Sequence, residues 1–319
     1  MTGKCNLPEC PAPEAACHLG KDDCTQCENF VVEEVTKKIK RGKGAELQKS
    51  SLGWSGQAFT TDELALVSSR TSPILIGVVG KADAGKTTFL AMLYTLLLSG
   101  KKLNDYNFAG TKTILGWDGL YHRLKIKKGN VAFPQPTPVT SNRLYHLALR
   151  NEEQQLKDVL FADASGEVFS LWSVNRNDEN ADNARWIYSN SNAFMLFIDC
   201  EALLVDKNSA KKEVMLIARQ LTNDLRGRPV IAVWSKSDKK SEVLPSIKDT
   251  LKTELETLFS NYKEIEISNF LEPGPDELVH TNNFTVVDWL LEKTMIPSSP
   301  DLTLDKIVSD DLFINYKSK

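Results

Sequence analysis

The stretch GKADAGKT, from Gly80 to Thr87, carries glycines, a lysine and a hydroxyl at the spacing G-x-x-x-x-G-K-[ST]. Gly80 and Gly85 allow a tight turn whose backbone N–H groups face inward on phosphate oxygens, and a helix N-terminus behind them favours anions. Lys86 is expected to reach the β- and γ-phosphates, and the Thr87 hydroxyl to ligate Mg²⁺. Asp83, Ala84, Gly85 and Thr88 complete the expected cofactor-binding loop. Downstream, DASGE holds D-x-x-G as Asp163 to Gly166. There Asp163 is placed to hold Mg²⁺ through a water, and the Gly166 N–H to meet a γ-phosphate. The chemistry these groups share is the binding and cleavage of a nucleoside triphosphate.

Which base is read follows from SKSD, Ser235 to Asp238. It is close to the [NT]-K-x-D element of GTPases, in which the aspartate accepts from guanine N1–H and the 2-amino group while the lysine stem lies along the ring. Lys236 and Asp238 take those places, with Ser235 where Asn or Thr is usual. Ser268, at the end of EIEIS, is expected to touch the guanine carbonyl. A switch threonine must come from FPQPTPVTS. Thr137 follows a proline, Thr140 has a spacing to Asp163 nearer that of small GTPases, and Thr137 is preferred. Glu167 stands where efficient GTPases often place a water-orienting glutamine. Its carboxylate, like that of Asp83, sits beside a highly negative γ-phosphate, so slow intrinsic hydrolysis rescued by a partner is expected. Arg143 and Arg185 are the arginines considered for the phosphates in cis, and each is better read as a surface residue.

These residues need a scaffold. PILIGVVG (73–80), NRLYHLALR (142–150), LKDVLFAD (156–163), AFMLFIDC (193–200), PVIAVWSKSD (229–238) and EIEIS (264–268) read as strands. Helices are expected over TTFLAMLYTLLLSG (87–100), SAKKEVMLIARQLTNDLRG (209–227), LPSIKDTLKTELETLFSNY (244–262) and FTVVDWLLEK (284–293). TTDELALVSSR is a short helix capped by Thr61 or Asp62. Strands alternating with helices imply α/β architecture: a mostly parallel six-stranded sheet covered on both faces, with one antiparallel hairpin near its start. The order P-loop, D-x-x-G, K-x-D matches a Ras-like P-loop GTPase. The expected organisation is a Cys-rich zinc-binding module at 1–30, a connector at 31–70, the GTPase domain at 71–296 and a tail at 297–319.

The chain has 319 residues, 41% hydrophobic and 25% charged, with a formal net charge of −3. That balance gives no global basic footprint for nucleic acid. The run KKIKRGKGAELQKS is better read as solvated linker. No apolar run is long enough for a membrane helix, and no secretory leader is recognised, so a cytoplasmic protein is expected. Five of the six cysteines (Cys5, Cys10, Cys17, Cys24 and Cys27) fall in the first 27 residues, with His18 among them. So few large aliphatics accompany them that a tetrahedral Zn²⁺ is the natural core. Cys5, Cys10, Cys17 and Cys27 are the first choice, Cys24 or His18 the substitutes. Cys200 reads as a small core residue. His122, His146 and His280 have no ligand-like or catalytic spacing.

The sequence resembles the bacterial double-GTPase proteins. The matching text is the N-terminal Cys cluster, GVVGKADAGKTTFLAMLY, FAGTKTILGWD, PQPTPVTSNRLYHLAL and DVLFADASGEVF, together spanning most of residues 1–295. The resemblance implies a Ras-like fold binding GTP and GDP. It also implies operons linked to biological conflict and phage defence, and a protein partner encoded nearby, possibly a second GTPase or an activator. It supports Thr137, because PTP sits where the family places its switch threonine.

Overall fold

The structure is a computed structural model that describes residues 3–12, 14–32, 55–68, 72–103, 105–123, 126–127, 130–131, 142–269, 278 and 281–295. Thr137, Thr140, the basic run and the expected tail at 297–319 lie outside the described residues, as does most of the expected connector. The chain divides into two compact units, Met1–Leu52 and Gly53–Lys319.

In the first unit, β1 (Gly3–Cys5) pairs antiparallel with β2 (Phe30–Val32), bringing Cys5 opposite Phe30. A single turn of 3₁₀ helix, Cys24–Gln26, is capped by the Asp23 carboxylate, which accepts from the Thr25 N–H at 3.0 Å. Among the described residues Ala12 and Cys27 are its only buried hydrophobics, too little apolar burial to hold a fold by itself.

The second unit begins with a capping box. The Glu63 carboxylate accepts from the Thr60 N–H at 2.8 Å, so Thr60, not Thr61 or Asp62, starts the turn that leads into α1 (Ala65–Ser68). Then come β3 (Ile74–Val79), α2 (Lys86–Leu98), β4 (Asn107–Gly110) and α3 (Ile114–Arg123). The two-residue strands β5 (Ile126–Lys127) and β6 (Asn130–Val131) precede the hairpin of β7 (Arg143–Arg150) and β8 (Leu156–Asp163). Next are α4 (Gly166–Val174), α5 (Asp182–Asn190), β9 (Ala193–Asp199), α6 (Cys200–Val205) and α7 (Asn208–Thr222). The series closes with β10 (Val230–Ser235), α8 (Pro245–Leu258), β11 (Tyr262–Glu266) and α9 (Asn282–Thr294).

The main sheet runs β11-β10-β9-β3-β8-β7-β4, parallel from β11 to β8 and antiparallel across β8–β7 and β7–β4. It has seven strands among the described residues, not six. The extra one, β4, is an edge of four residues carrying a register shift, and its NFAG sequence has no alternating pattern to announce it. The strands around β3 are apolar on both faces because both are covered. Leu160 and Ala162, Phe194, Leu196 and Ile198 face one core, packed with α4, α5, α7 and α8 side chains. Val159 and Phe161, Ala193, Met195 and Phe197 face the other, beneath α2, α3 and α9.

The edge strand is pinned by a buried histidine. His146 Nδ1 accepts from the Lys112 N–H at 2.9 Å, so its Nε2 carries the proton shared with Asp158 Oδ1, also at 2.9 Å. The Trp117 indole donates to the His146 carbonyl at 2.8 Å. His146 and Asp158 are each 1% exposed, a buried polar pair that holds α3 and β4 to the hairpin.

The chain leaves β3 towards β8 on one side and β9 on the other. That reversal is the point at which open α/β sheets leave a crevice beyond the carboxyl ends of their strands.

Candidate functional site

The crevice is present and is walled by the motifs. A cleft of about 730 Å³ is lined by Ala82 to Thr88, Ala164 to Glu167, Glu201, Ser235, Lys236, Asp238, Lys239 and Ile267 to Asn269. Each group arrives from the carboxyl end of a strand: the loop after β3, the turn after β8, the start of α6 after β9, and the turns after β10 and β11. Asp83, Ala84, Gly85, Lys86, Thr87, Thr88, Gly166, Glu167, Lys236, Asp238 and Ser268, separated by up to 185 positions in sequence, thus meet in one cavity.

Gly85 caps α2 in the left-handed region at φ 82°, a conformation a side chain resists, and turns the loop back over the helix N-terminus. Lys86 is folded into this loop. Its Nζ donates to the carbonyls of Gly80 at 2.9 Å and Lys81 at 2.8 Å. Burial lowers its pKa to about 8, and the carboxylates of Asp163 and Asp83 recover only part of the loss. Lys81 instead points to α7, where its ion pair with Glu213 at 2.6 Å raises its pKa.

The Thr87 hydroxyl donates to Asp163 Oδ2 at 3.1 Å. A hydroxyl and a buried carboxylate adjoining a phosphate loop form the hard oxygen donor set that Mg²⁺ takes, so these residues fit that ion. Gly166 presses directly on the phosphate loop. A Cβ there would lie 1.9 Å from the Ala82 nitrogen and 2.2 Å from the Lys81 carbonyl carbon. Ser165 caps α4 by accepting from the Glu167 N–H at 3.3 Å, which aims that helix N-terminus into the cleft with the exposed Glu167 side chain at its first turn.

On the other side of the cleft, the Ser235 hydroxyl lies 2.8 Å from the Ala84 carbonyl and 3.2 Å from that of Ile198. The small residue found where Asn or Thr is usual therefore ties the turn after β10 to the phosphate loop. Lys236 Nζ pairs with Asp199 Oδ2 at 2.8 Å and Glu201 Oε2 at 3.0 Å. Burial works against its charge, but these carboxylates outweigh it and raise its pKa. Lys239 and then Lys236 hold the Glu201 carboxyl down to about 2. Asp238 Oδ1 accepts from the Ser268 hydroxyl at 2.5 Å.

Arg185 is engaged with Asp182 and with the Arg176 and Asp178 carbonyls, and Arg143 lies at a smaller groove beside Gln57 and Leu115, so neither lines the nucleotide-sized cleft. Among the described residues no group of three or more His, Cys, Asp or Glu side chains is arranged to hold a metal ion. The His18 N–H does donate to Cys10 Sγ at 3.5 Å. Cys200 opens α6 and does not end a strand, and burial pushes its thiol up to about 12, as suits an inert core residue. Sequence reading missed Glu201, Lys239 and Asn269, which lie just beyond recognised strand ends.

Residues 74–292 match the family model described as Double-GTPase 2. The chain belongs to the double-GTPase family. No curated protein matches it. Among solved structures it is similar to a crystal structure of a mutation variant of SsGBP, at 16% identity with a TM-score of 0.36, covering 72% of this chain. The match spans 61% of that protein's length. Among the described residues no helix is long and apolar enough to cross a membrane.

Proposed function

We propose that this double-GTPase is a GTP-binding switch that hydrolyses GTP slowly to GDP and phosphate, and that a protein partner accelerates the step. The observation that carries this reading is the convergence of the phosphate loop, Ala164 to Glu167, and Lys236 with Asp238 on one cleft. Family membership supports GTP as the nucleotide. In this reading the phosphate loop from Gly80 to Thr88 and Lys86 cradle the phosphates, and Lys236, Asp238 and the loop at Ser268 read the base. Thr87, Asp163 and the switch threonine, Thr137, would hold Mg²⁺, and the ion would supply positive charge beside the phosphates. Gly166 places its N–H and the α4 N-terminus at the γ-phosphate. Glu167 faces the attacking water, and its negative charge beside the γ-phosphate opposes fast turnover.

No arginine lines the cleft among the described residues, which favours an arginine supplied by the partner, a contribution of about 10³–10⁵ in rate where one is used. The resemblance to conflict and phage-defence proteins makes a neighbouring gene product the partner to try, in the bacterial cytoplasm. For the first unit we propose Zn²⁺ held by four of Cys5, Cys10, Cys17, Cys24 and Cys27, with His18 as a substitute. The scarcity of buried apolar side chains among its described residues supports a metal core.

Single-turnover hydrolysis of GTP, with the chain alone and with the neighbouring gene product, tests the switch. Slow cleavage that the partner accelerates is expected. Tight GTP binding with no cleavage in either case would favour the second reading, a nucleotide-bound scaffold, which the acidic Glu167 also suits.

A further inference from the structure

One wall of the cleft is built from opposite charges. Glu201 is the second residue of α6, Lys239 follows on the turn after Lys236, and both line the cleft with half-exposed side chains. The Glu201 carboxylate divides its oxygens between two lysines: Oε2 takes Lys236 Nζ at 3.0 Å and Oε1 takes Lys239 Nζ. Asp199 is divided in a similar way. Its Oδ1 accepts from the Glu201 and Ala202 N–H groups at 2.9 and 3.3 Å and so caps α6, while its Oδ2 takes Lys236 Nζ at 2.8 Å. Ion pairs therefore join α6 to the turn after β10, and among the described residues Glu201 is the carboxylate that holds both lysines.

That turn needs holding. Lys236 sits at φ 51° and ψ 42°, the left-handed region that a side chain resists. Backbone bonds fix the residues after it: the Ser237 N–H donates to the Ile267 carbonyl at 3.0 Å and the Lys239 N–H to the Lys236 carbonyl at 3.1 Å. The Lys236 ammonium, among the described residues, is anchored by Asp199 and Glu201. An ammonium so committed leaves the methylene stem as the part of Lys236 that a ligand meets.

We infer that Glu201 is a positioning residue: by clamping Lys236 and Lys239 it keeps this wall of the cleft in place, and it sets how long a nucleotide stays bound without choosing its base. The inference rests on the proposed reading of the cleft as a nucleotide site with Lys236 and Asp238 at the base. Base choice stands apart because Asp238 is held by Ser268, through a bond that shares no group with the clamp. The carboxylate has two opposed effects. Its charge repels incoming phosphates, so a field effect alone makes binding tighter when the charge is removed. The clamp makes release faster.

The experiment is stopped-flow release of fluorescently labelled GDP from the full chain with Mg²⁺, at roughly 0.05 and 0.5 M salt, where screening of exposed pairs differs strongly. Glu201→Gln keeps the shape and loses the charge. It is expected to release GDP about 3- to 10-fold faster, the size of effect that two half-exposed ion pairs supply, and to keep the wild-type preference for GDP over ADP. Salt should speed release from the wild type and change Glu201→Gln much less. Lys239→Met, which removes one pair, should give a smaller acceleration, and adding it to Glu201→Gln should give none, because the pair is already gone. A merely structural role would lower the melting temperature and leave the two substitutions additive. A Glu201→Gln chain with the wild-type release rate and salt dependence overturns the inference, as does one that binds GDP more tightly through faster association alone. A wild type that binds GDP and ADP equally overturns the guanine reading, and release of either nucleotide then decides the clamp. A wild type that binds neither overturns the proposed function and this inference together.

Discussion

Replacing Gly166 with alanine probes the contact on which γ-phosphate sensing depends in the proposed switch. The added Cβ would stand 1.9 Å from the Ala82 nitrogen, 2.2 Å from the Lys81 carbonyl carbon and 2.4 Å from the Ala82 Cα, whereas ordinary contact begins at 3.4 Å. All three neighbours are backbone, so no side-chain rotation relieves the clash. The turn after β8 or the phosphate loop must withdraw by about 1.5 Å, an overpacking strain of about 1–3 kcal/mol. For a unit of this size that is a melting temperature lower by roughly 3 to 10 °C. Withdrawal also carries the Gly166 N–H and the α4 N-terminus away from the γ-phosphate. Loss of one charge-assisted hydrogen bond weakens GTP binding by about tenfold or more, while GDP, which has no γ-phosphate, keeps its affinity. Differential scanning fluorimetry and parallel GTP and GDP titrations measure both effects. A Gly166→Ala chain with unchanged melting temperature and an unchanged ratio of GTP to GDP affinity would refute the packing argument and the role built on it.

Lys86 predicts a pH dependence. Its pKa in the free chain is lowered to about 8 by burial, and phosphate oxygens raise it again. The complex therefore holds more protons than the free protein, and affinity falls as pH rises through about 8. Calorimetry near that pH in buffers of different ionisation heat should show proton uptake, and an affinity flat to about pH 9.5 would contradict it. By the same linkage the nucleotide-free chain gains stability from about pH 8 towards 10.5, because the unfolded lysine keeps a proton that the folded one releases. Ser235→Ala removes the tie to the Ala84 carbonyl and leaves a buried acceptor unmet, a loss of about 1–3 kcal/mol. It should speed nucleotide release, and a wild-type dissociation rate would show that the tie does not couple base and phosphate. Elemental analysis of the purified chain is expected to find one zinc per chain, lost when Cys5 and Cys10 are both changed to serine; zinc-free protein with a folded first unit would end that proposal.

The phosphate loop, D-x-x-G and K-x-D were legible because each depends on a few residue types at fixed spacing next to a strongly apolar strand. Their meeting in one cleft follows from the parallel order of β3, β8, β9, β10 and β11, which alternating strands and helices announce. What escaped had no local signal. β4 is short and polar at one end, and α3 carries Gly116 and Gly119, which weaken any helical reading. His146 gave no hint by spacing because its partner Asp158 lies across the hairpin. Asn269 and Asn283 meet only when α9 folds back on the end of β11, and Glu201 acquires meaning only when α6 brings it under Lys236 and Lys239. Ser268 lines the cleft, but its partner is Asp238, a relation that tertiary structure alone provides.

The central claim is a guanine nucleotide held by one cleft, and the most direct measurement is competitive binding of GTP, xanthosine triphosphate and ATP to the wild-type chain and to Asp238→Asn. The account predicts that the wild type selects GTP strongly over ATP. It further predicts that Asp238→Asn loses GTP and gains xanthosine triphosphate, whose C2 carbonyl accepts from the new amide. Equal affinity for ATP and GTP in the wild type, or an Asp238→Asn chain that keeps its preference for GTP over xanthosine triphosphate, would contradict it.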